Sequence, residues 1–166
     1  FNNDFSFLED YIGIDINDKC KQYENNNIFI EIGNQNDKDF LKMVSNKYNG
    51  FNLIIDDGSH YGKDIIFSFE ILFEYLVPNG IYIVEDSATS YWSYYNENKY
   101  YCIEYFKNLI DDVNFNGVQN FNFHNVNARR EDVLKEQLLS QNIKYKFDIE
   151  SINFLNSLII INKYGT

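Results

Sequence analysis

Seven consecutive residues hold the densest chemistry in this chain: Ile54-Ile55-Asp56-Asp57-Gly58-Ser59-His60. A hydrophobic run delivers two carboxylates, a glycine and a histidine at its carboxyl end, which in open α/β sheets is where ligands bind. Carboxylates are hard oxygen ligands, suited to Mg2+ or Ca2+. A second apolar run ends the same way, in Ile83-Val84-Glu85-Asp86. One helical stretch separates the two runs, so they can be parallel neighbours roughly 5 Å apart. Their terminal carboxylates then converge, and three or four acids in one place need a cation. Adjacent strand residues point to opposite faces. Glu85 and Asp86 therefore reach one ion only if the chain turns there, and Asp86-Ser87 is a candidate turn. The competing reading is that these acids cap helices, since acids are favoured just ahead of a helix. One acidic pair alone would favour caps. Two pairs at successive strand ends, with His60 between them, favour a metal centre. A neutral imidazole beside a cation can take a proton from a hydroxyl; the alternative for His60 is a histidine in a surface turn. His124 has no such company and reads as surface or core.

Two weaker signals precede these. Ile12-Gly13-Ile14-Asp15-Ile16 is a strand ending near an acid, the position that accepts hydrogen bonds from ribose hydroxyls in nucleotide-binding α/β units. Many strands end in Asp, so the signal is not specific. Gly33-Asn34-Gln35-Asn36-Asp37 follows another strand and either holds an adenine edge or forms a turn and the N-cap of the next helix.

The elements that must carry these residues follow from periodicity. Ile12–Ile16, Ile28–Ile32, Phe51–Ile55 and Ile81–Val84 are continuous β-branched runs, which predict parallel strands buried on both faces. Asp37–Tyr48 and Lys63–Leu76 carry apolar residues at helical spacing, and Pro78-Asn79-Gly80 is a stop-and-turn signal. Tyr100–Val113 and Arg130–Leu139 read as further helices. Ile152–Leu155 and Leu158–Ile161, separated by little, read as a closing antiparallel pair. Alternation of strand and helix predicts βαβ units with right-handed crossovers.

With 166 residues, the chain suits one domain. Hydrophobic residues make up 45% and charged residues 23%, as in ordinary globular proteins. Aromatic residues reach 18%, so much of the core must be ring packing. The net charge of −11 argues against nucleic acid and against an anionic membrane surface. No run reaches transmembrane length. Cys20 and Cys102 make no metal or redox spacing and are expected as reduced thiols of a cytoplasmic protein. Nothing in the sequence decides oligomeric state, and a homo-oligomer stays open.

The stretch from Asp56-Asp57-Gly58-Ser59-His60 through Ser68-Phe69, Leu72-Phe73, Gly80-Ile81-Tyr82 and Glu85-Asp86 to Thr89-Ser90-Tyr91-Trp92 resembles the macrolide-sugar O-methyltransferases of the mycinamicin and macrocin type, with related bacterial surface-sugar enzymes. The resemblance runs from about Ile12 to Trp92 and returns at 152–163. It implies a Rossmann-like class I fold and transfer of a methyl group from S-adenosylmethionine to a sugar-type hydroxyl. It also implies that Asp57, Glu85 and Asp86 hold Mg2+, with His60 as general base. Asp15 would bind the cofactor ribose, the loop carrying Gly33, Asn34, Gln35 and Asp37 would lie near the adenosine, and Asp56 is added to that cofactor-side set. Tyr91 and Trp92 are read either as a wall on which a sugar stacks or as plain aromatic core, and the tyrosines that follow either line the acceptor site or cover the sheet.

One expected part is missing. Such methyltransferases place the cofactor on a first strand ending in a Gly-rich turn, but the first glycine here is Gly13. The strand carrying Asp15 already reads as the second, with Phe1 to Tyr11 as the tail of the first helix. The expectation is a single methyltransferase domain over residues 1–166, incomplete at its N-terminus. The absent strand would lie centrally, between the strands carrying Asp15 and Asp57. Two other functions compete: a non-catalytic methyltransferase-fold binding module, and a metal-dependent α/β hydrolase.

Overall fold

All six of the expected apolar runs end up in strands, and a computed structural model covering residues 10–95, 102–114 and 146–165 shows how they assemble. β1 (Tyr11–Asp15) pairs in parallel with β2 (Ile28–Ile32). A short 3-10 turn, Asp18–Tyr23, joins them. α1 (Lys38–Lys47) starts on the N-cap Asp37, whose carboxylate accepts from the amides of Asp39 and Phe40. β3 (Phe51–Asp56) leads through α2 (Gly62–Leu72) to β4 (Leu76–Val84), parallel to β3. After a 3-10 turn at Ser87–Tyr91 and α3 (Cys102–Lys107), the chain closes with the antiparallel hairpin of β5 (Ile149–Leu155) and β6 (Leu158–Lys163). β6 adds antiparallel to β4. The result is the mostly parallel α/β arrangement with an antiparallel C-terminal pair that the sequence predicts.

The sheet comes in two parts among the described residues: β1-β2, and β3-β4-β6-β5. β1 and β3 each present an edge without a ladder partner. A cleft of about 320 Å³ lies between them, lined by Ile12, Gly13 and Ile14 on one side and Leu53, Ile54 and Ile55 on the other. The break falls where the resemblance puts a further central strand. It also overturns one expectation: β1 and β3 are not buried on both faces. Leu53 is 43% exposed and Ile55 53%, because no neighbour covers the β3 edge.

Other differences are local. Ile16 lies outside β1 and is exposed, and Tyr11 belongs to β1 instead of a preceding helix. The α2 helix stops at Leu72 and tightens into a 3-10 turn, which leaves Leu76 as the first residue of β4. Pro78-Asn79-Gly80 does not precede β4 but interrupts it. The ladder jumps from Phe51 opposite Leu76 to Leu53 opposite Ile81, with Asn79 at φ +61°. Of the helix expected over Tyr100–Val113, Cys102–Lys107 is α3, and residues 110–114 are helical again. Arg130–Leu139 and His124 lie outside the described residues.

The core sits under the four-stranded part and is made of rings, as the composition requires. Phe69 of α2 is fully buried. Its ring meets Phe73 at 5.0 Å, Tyr82 at 5.2 Å, Phe106 at 4.9 Å and Phe147 at 5.1 Å between centroids, mostly edge to face. Val84, Ile159 and Ile161 are also closed off from solvent. The aliphatic strand positions thus form a floor against which the α2 aromatics pack. No helix of the described residues is long and apolar enough to cross a membrane.

Candidate active site

β3 and β4 stop together. Asp56 lies opposite Val84, and the Glu85 amide still donates to the Asp56 carbonyl at 3.0 Å. Beyond that point both chains leave the ladder, and both do so through a left-handed residue. His60 has φ +61° and Asp86 φ +50°, a conformation uncommon outside glycine. The turn required at Asp86-Ser87 for that acid to face the other strand end is therefore present.

The consequence is a convergence of donors. Oxygens of Asp57 and Asp86 and a nitrogen of His60 lie within 4.8 Å of one another. His60 Nε2 stands 4.0 Å from Asp57 Oδ1 and 4.0 Å from Asp86 Oδ2. Both carboxylates are more than half exposed, so the cluster opens to solvent while its backbone is fixed by the sheet. Two hard oxygen donors on separate strand ends, within reach of one ion, fit a divalent cation such as Mg2+. Glu85 is half-buried and stands outside this trio. Strand alternation puts its side chain on the other face from Val84, and the left-handed turn comes one residue too late to bring it round.

Asp56 has a different environment from its neighbour. Its Oδ2 accepts from the Ser68 hydroxyl at 2.5 Å and the Tyr82 hydroxyl at 2.8 Å. Burial pushes the Asp56 carboxyl up from the ordinary range, and these two hydrogen bonds oppose that rise. Tyr82, fully buried, is pushed well above its usual value by burial, with the Asp56 charge adding to it. The inward acid thus anchors the strand end to the core, while Asp57 faces out.

The loop between β3 and α2 is pinned from two sides. The Ser59 amide donates to Gln35 Oε1 at 2.8 Å, and the Ser59 hydroxyl donates to Asp64 Oδ2 at 2.7 Å. Asp64 is buried, and its Oδ1 has no hydrogen-bond partner among the described residues. A Cβ on Gly58 would lie 2.3 Å from Gln35 Oε1, so only glycine lets that side chain approach. Neither the Ser68–Asp56–Tyr82 network nor Asp64 stands out in the sequence, because each is built from residues far apart in the chain or hidden within a helical stripe.

The residues expected on the cofactor side are spread along the β1 and β2 ends. Asp15 ends β1, is exposed, and accepts from the Asn17 amide at 2.8 Å. That bond, with one from Cys20, holds its carboxyl below the usual range. The Gly33 amide donates to the Asp15 carbonyl at 2.9 Å, which ties the two strand ends together. A Cβ on Gly33 would fall 2.4 Å from the Phe40 ring. Asn34 Oδ1 accepts from the Asn36 amide, and Asp37 is committed to capping α1. Of the expected cofactor-side set, Gln35 and Asp56 line the cleft, from opposite walls and beside Asp57 and Gly58.

Tyr91 and Trp92 are 68% and 59% exposed, which removes the plain-core reading for both. An aromatic group does face the donors, but it centres on other rings. Tyr95 meets His60 edge-on at 6.0 Å and Tyr61 at 5.4 Å, with Trp92 at 6.1 Å and Tyr94 at 5.0 Å from it. Tyr61 follows His60 directly, and that adjacency was the available signal.

Relatives with known activities bear on this site. The chain is 41% identical over 80 residues to mycinamicin VI 2''-O-methyltransferase of Micromonospora griseorubida, covering 48% of this chain and 20% of that one. It is 40% identical over 80 residues to demethylmacrocin O-methyltransferase of Streptomyces fradiae, with the same coverage. The chain thus spans about a fifth of the length of these curated relatives. Among solved structures, MycE methyltransferase from the mycinamycin biosynthetic pathway, in complex with Mg and SAH, superposes with a TM-score of 0.72 at 26% identity, over 94% of this chain and 38% of that one. A MycE complex with Mg, SAH and mycinamycin VI gives 0.69 at 25%, over 94% and 37%. No family model matches.

Proposed function

We propose, from similarity to macrolide-sugar O-methyltransferases in sequence and to MycE in fold, that this chain carries the metal and base half of a class I S-adenosylmethionine-dependent O-methyltransferase acting on a sugar-type hydroxyl. The observation that carries the reading is the meeting of Asp57, Asp86 and His60 just past the ends of two parallel strands. Asp57 and Asp86 would hold Mg2+, and Glu85, one residue away on the same strand end, is kept as a third ligand on the resemblance alone. The ion, when bound, supplies positive charge that lowers the pKa of an acceptor hydroxyl. His60 stays outside the ligand set, since Mg2+ prefers oxygen. Its Nε2 is then placed to take the hydroxyl proton. The balance of the reaction is one carbon–oxygen bond formed, one carbon–sulfur bond broken, and one proton left on His60.

The chain's other residues orient and enclose. Tyr95 and Tyr61, with Trp92 and Tyr91 beyond them, form an aromatic side on which the apolar face of a sugar ring can rest. Asp15, Gly33, Asn34 and Gln35 border the methyl-donor side, with Asp37 and Asp56 fixing the backbone of that border. Such a role suits a cytoplasmic location, where thiols such as Cys20 and Cys102 stay reduced. The acceptor belongs to small-molecule glycosides or glycans, and neither nucleic acid nor a membrane is involved.

The test is methyl transfer to a glycosylated acceptor by the complete protein, with His60→Ala and Asp57→Ala as variants. Loss of a general base should lower kcat by about 10²–10⁴, and Asp57→Ala should make activity insensitive to added Mg2+. Activity within tenfold of the unaltered protein in His60→Ala would remove His60 from the reaction.

A further inference from the structure

The two left-handed residues of the site sit on separate turns, 26 positions apart, and the β3–β4 ladder has ended before either is reached. Each turn has its own anchor. The Asp86 turn is held from behind: the Ser87 amide donates to the Ser157 carbonyl at 3.1 Å, and the hydroxyl of Ser90 and the thiol of Cys102 are hydrogen-bonded at 2.8 Å. The His60 turn is held through Ser59, by Gln35 and Asp64. Something must fix these turns against each other if Asp57, His60 and Asp86 are to keep ångström-level spacing.

Thr89 does this. It is buried, 5% exposed. Its hydroxyl lies 2.7 Å from the Asp86 carbonyl oxygen and 3.2 Å from the His60 carbonyl oxygen. The single proton is shared in a three-centre bond, and the two acceptors are the backbone carbonyls of the two residues whose side chains face each other across 4.0 Å. The bond to Asp86 alone would be an ordinary local contact within a 3-10 turn. The bond to His60 reaches 29 residues back along the chain, which no local turn requires.

We infer that Thr89 is a positioning residue for the metal centre: its hydroxyl clips the backbone of the His60 turn to that of the Asp86 turn and so sets the spacing of the donors. This rests on the metal-centre reading above. Without the hydroxyl, each turn keeps its own anchor and the chain still folds, but the donors lose their mutual register and the ion is held less tightly.

The experiment is Mn2+ titration of the full chain, following free Mn2+ by electron paramagnetic resonance, alongside thermal unfolding without metal. Thr89→Val keeps the shape and removes the donor. It should weaken Mn2+ binding about tenfold, the worth of one hydrogen bond, while the metal-free melting transition stays cooperative. Thr89→Ser restores the donor and should bind within about twofold of the unaltered chain. Thr89→Ala takes the place of Val if that variant does not fold. Mn2+ binding by the hydroxyl-less variant within twofold of the unaltered chain overturns the clip. So does an equal loss in Thr89→Ser, which would trace the effect to methyl packing. Asp57→Asn separates the two claims. If the unaltered chain binds no Mn2+ that Asp57→Asn removes, the metal centre itself falls and the clip with it; if it does bind such Mn2+, only the clip is at stake.

Discussion

The two parts of the sheet are built to different standards. The four-stranded part encloses a continuous core in which Phe69, Tyr82, Val84, Ile159 and Ile161 are sealed from solvent. In the two-stranded part, Ile30 alone counts as buried, and the strands show solvent or the cleft along most of their length. A hydrogen bond from Ser59 to Gln35 and the packing of α1 beside α2 connect the two. The residues proposed for metal and base stand on the first part, and those proposed for the methyl donor, Asp56 apart, stand on or just beyond the second. The proposed metal centre thus grows from the end of a well-packed sheet, while the proposed methyl-donor side rests on a pair of strands with an open edge. Two-stranded units are marginal without further packing.

The contrast is broken most directly by truncating one side chain in each part. Phe69→Ala should destabilise the chain by about 3–5 kcal/mol, whereas Ile12→Ala beside the cleft should cost under about 1 kcal/mol, because its surroundings are already open. Urea unfolding measures both, and equal costs would mean that the parts share one core. A middle-sized effect concerns their junction. Gln35→Ala should leave unfolding nearly unchanged yet speed amide hydrogen exchange about tenfold across Asp57–Tyr61, since the opening of that loop loses one hydrogen bond. Unchanged exchange there would show that the junction is carried by helix packing instead.

The smallest effect is electrostatic and confined to the two-stranded part. Hydrogen bonds from Lys47 first, and Tyr48 second, hold the Glu31 carboxyl below its usual value of 4.5. A lowered acid pKa stabilises the fold at pH above the unfolded value, and the gain is lost as pH falls through the folded value. Glu31→Gln should therefore lower the thermal midpoint at pH 7 by no more than a few degrees, as expected for a largely solvated pair. The difference should fade below about pH 4. A constant difference across that range would assign the effect to packing.

Much of this was readable in the sequence, for identifiable reasons. β-branched runs gave strand positions to within a few residues, since burial of such runs leaves few alternatives. Asp57, His60 and Asp86 could be matched because strand ends bring residues together in a way that topology alone dictates. Glu85 could not be placed the same way, since its side-chain direction depends on which residue takes the left-handed turn. Asp37 was legible as a cap only in part, because an acid before a helix looks the same whether it meets an amide or a ligand. Thr89 and Asp64 were illegible: each acts across a tertiary contact that leaves no local pattern. The interruption of β4 at Pro78-Asn79-Gly80 was misread, as a strong turn signal does not reveal whether the ladder resumes on the same partner.

The left-handed backbone at His60 and Asp86 has a consequence for how the gene can drift. Glycine relaxes such a conformation without harm to the neighbouring turns, so replacing either residue by glycine removes strain at the same moment that it removes a side chain of the proposed site. In a lineage where the activity has become dispensable, these two positions are the first at which decay would be rewarded rather than merely tolerated.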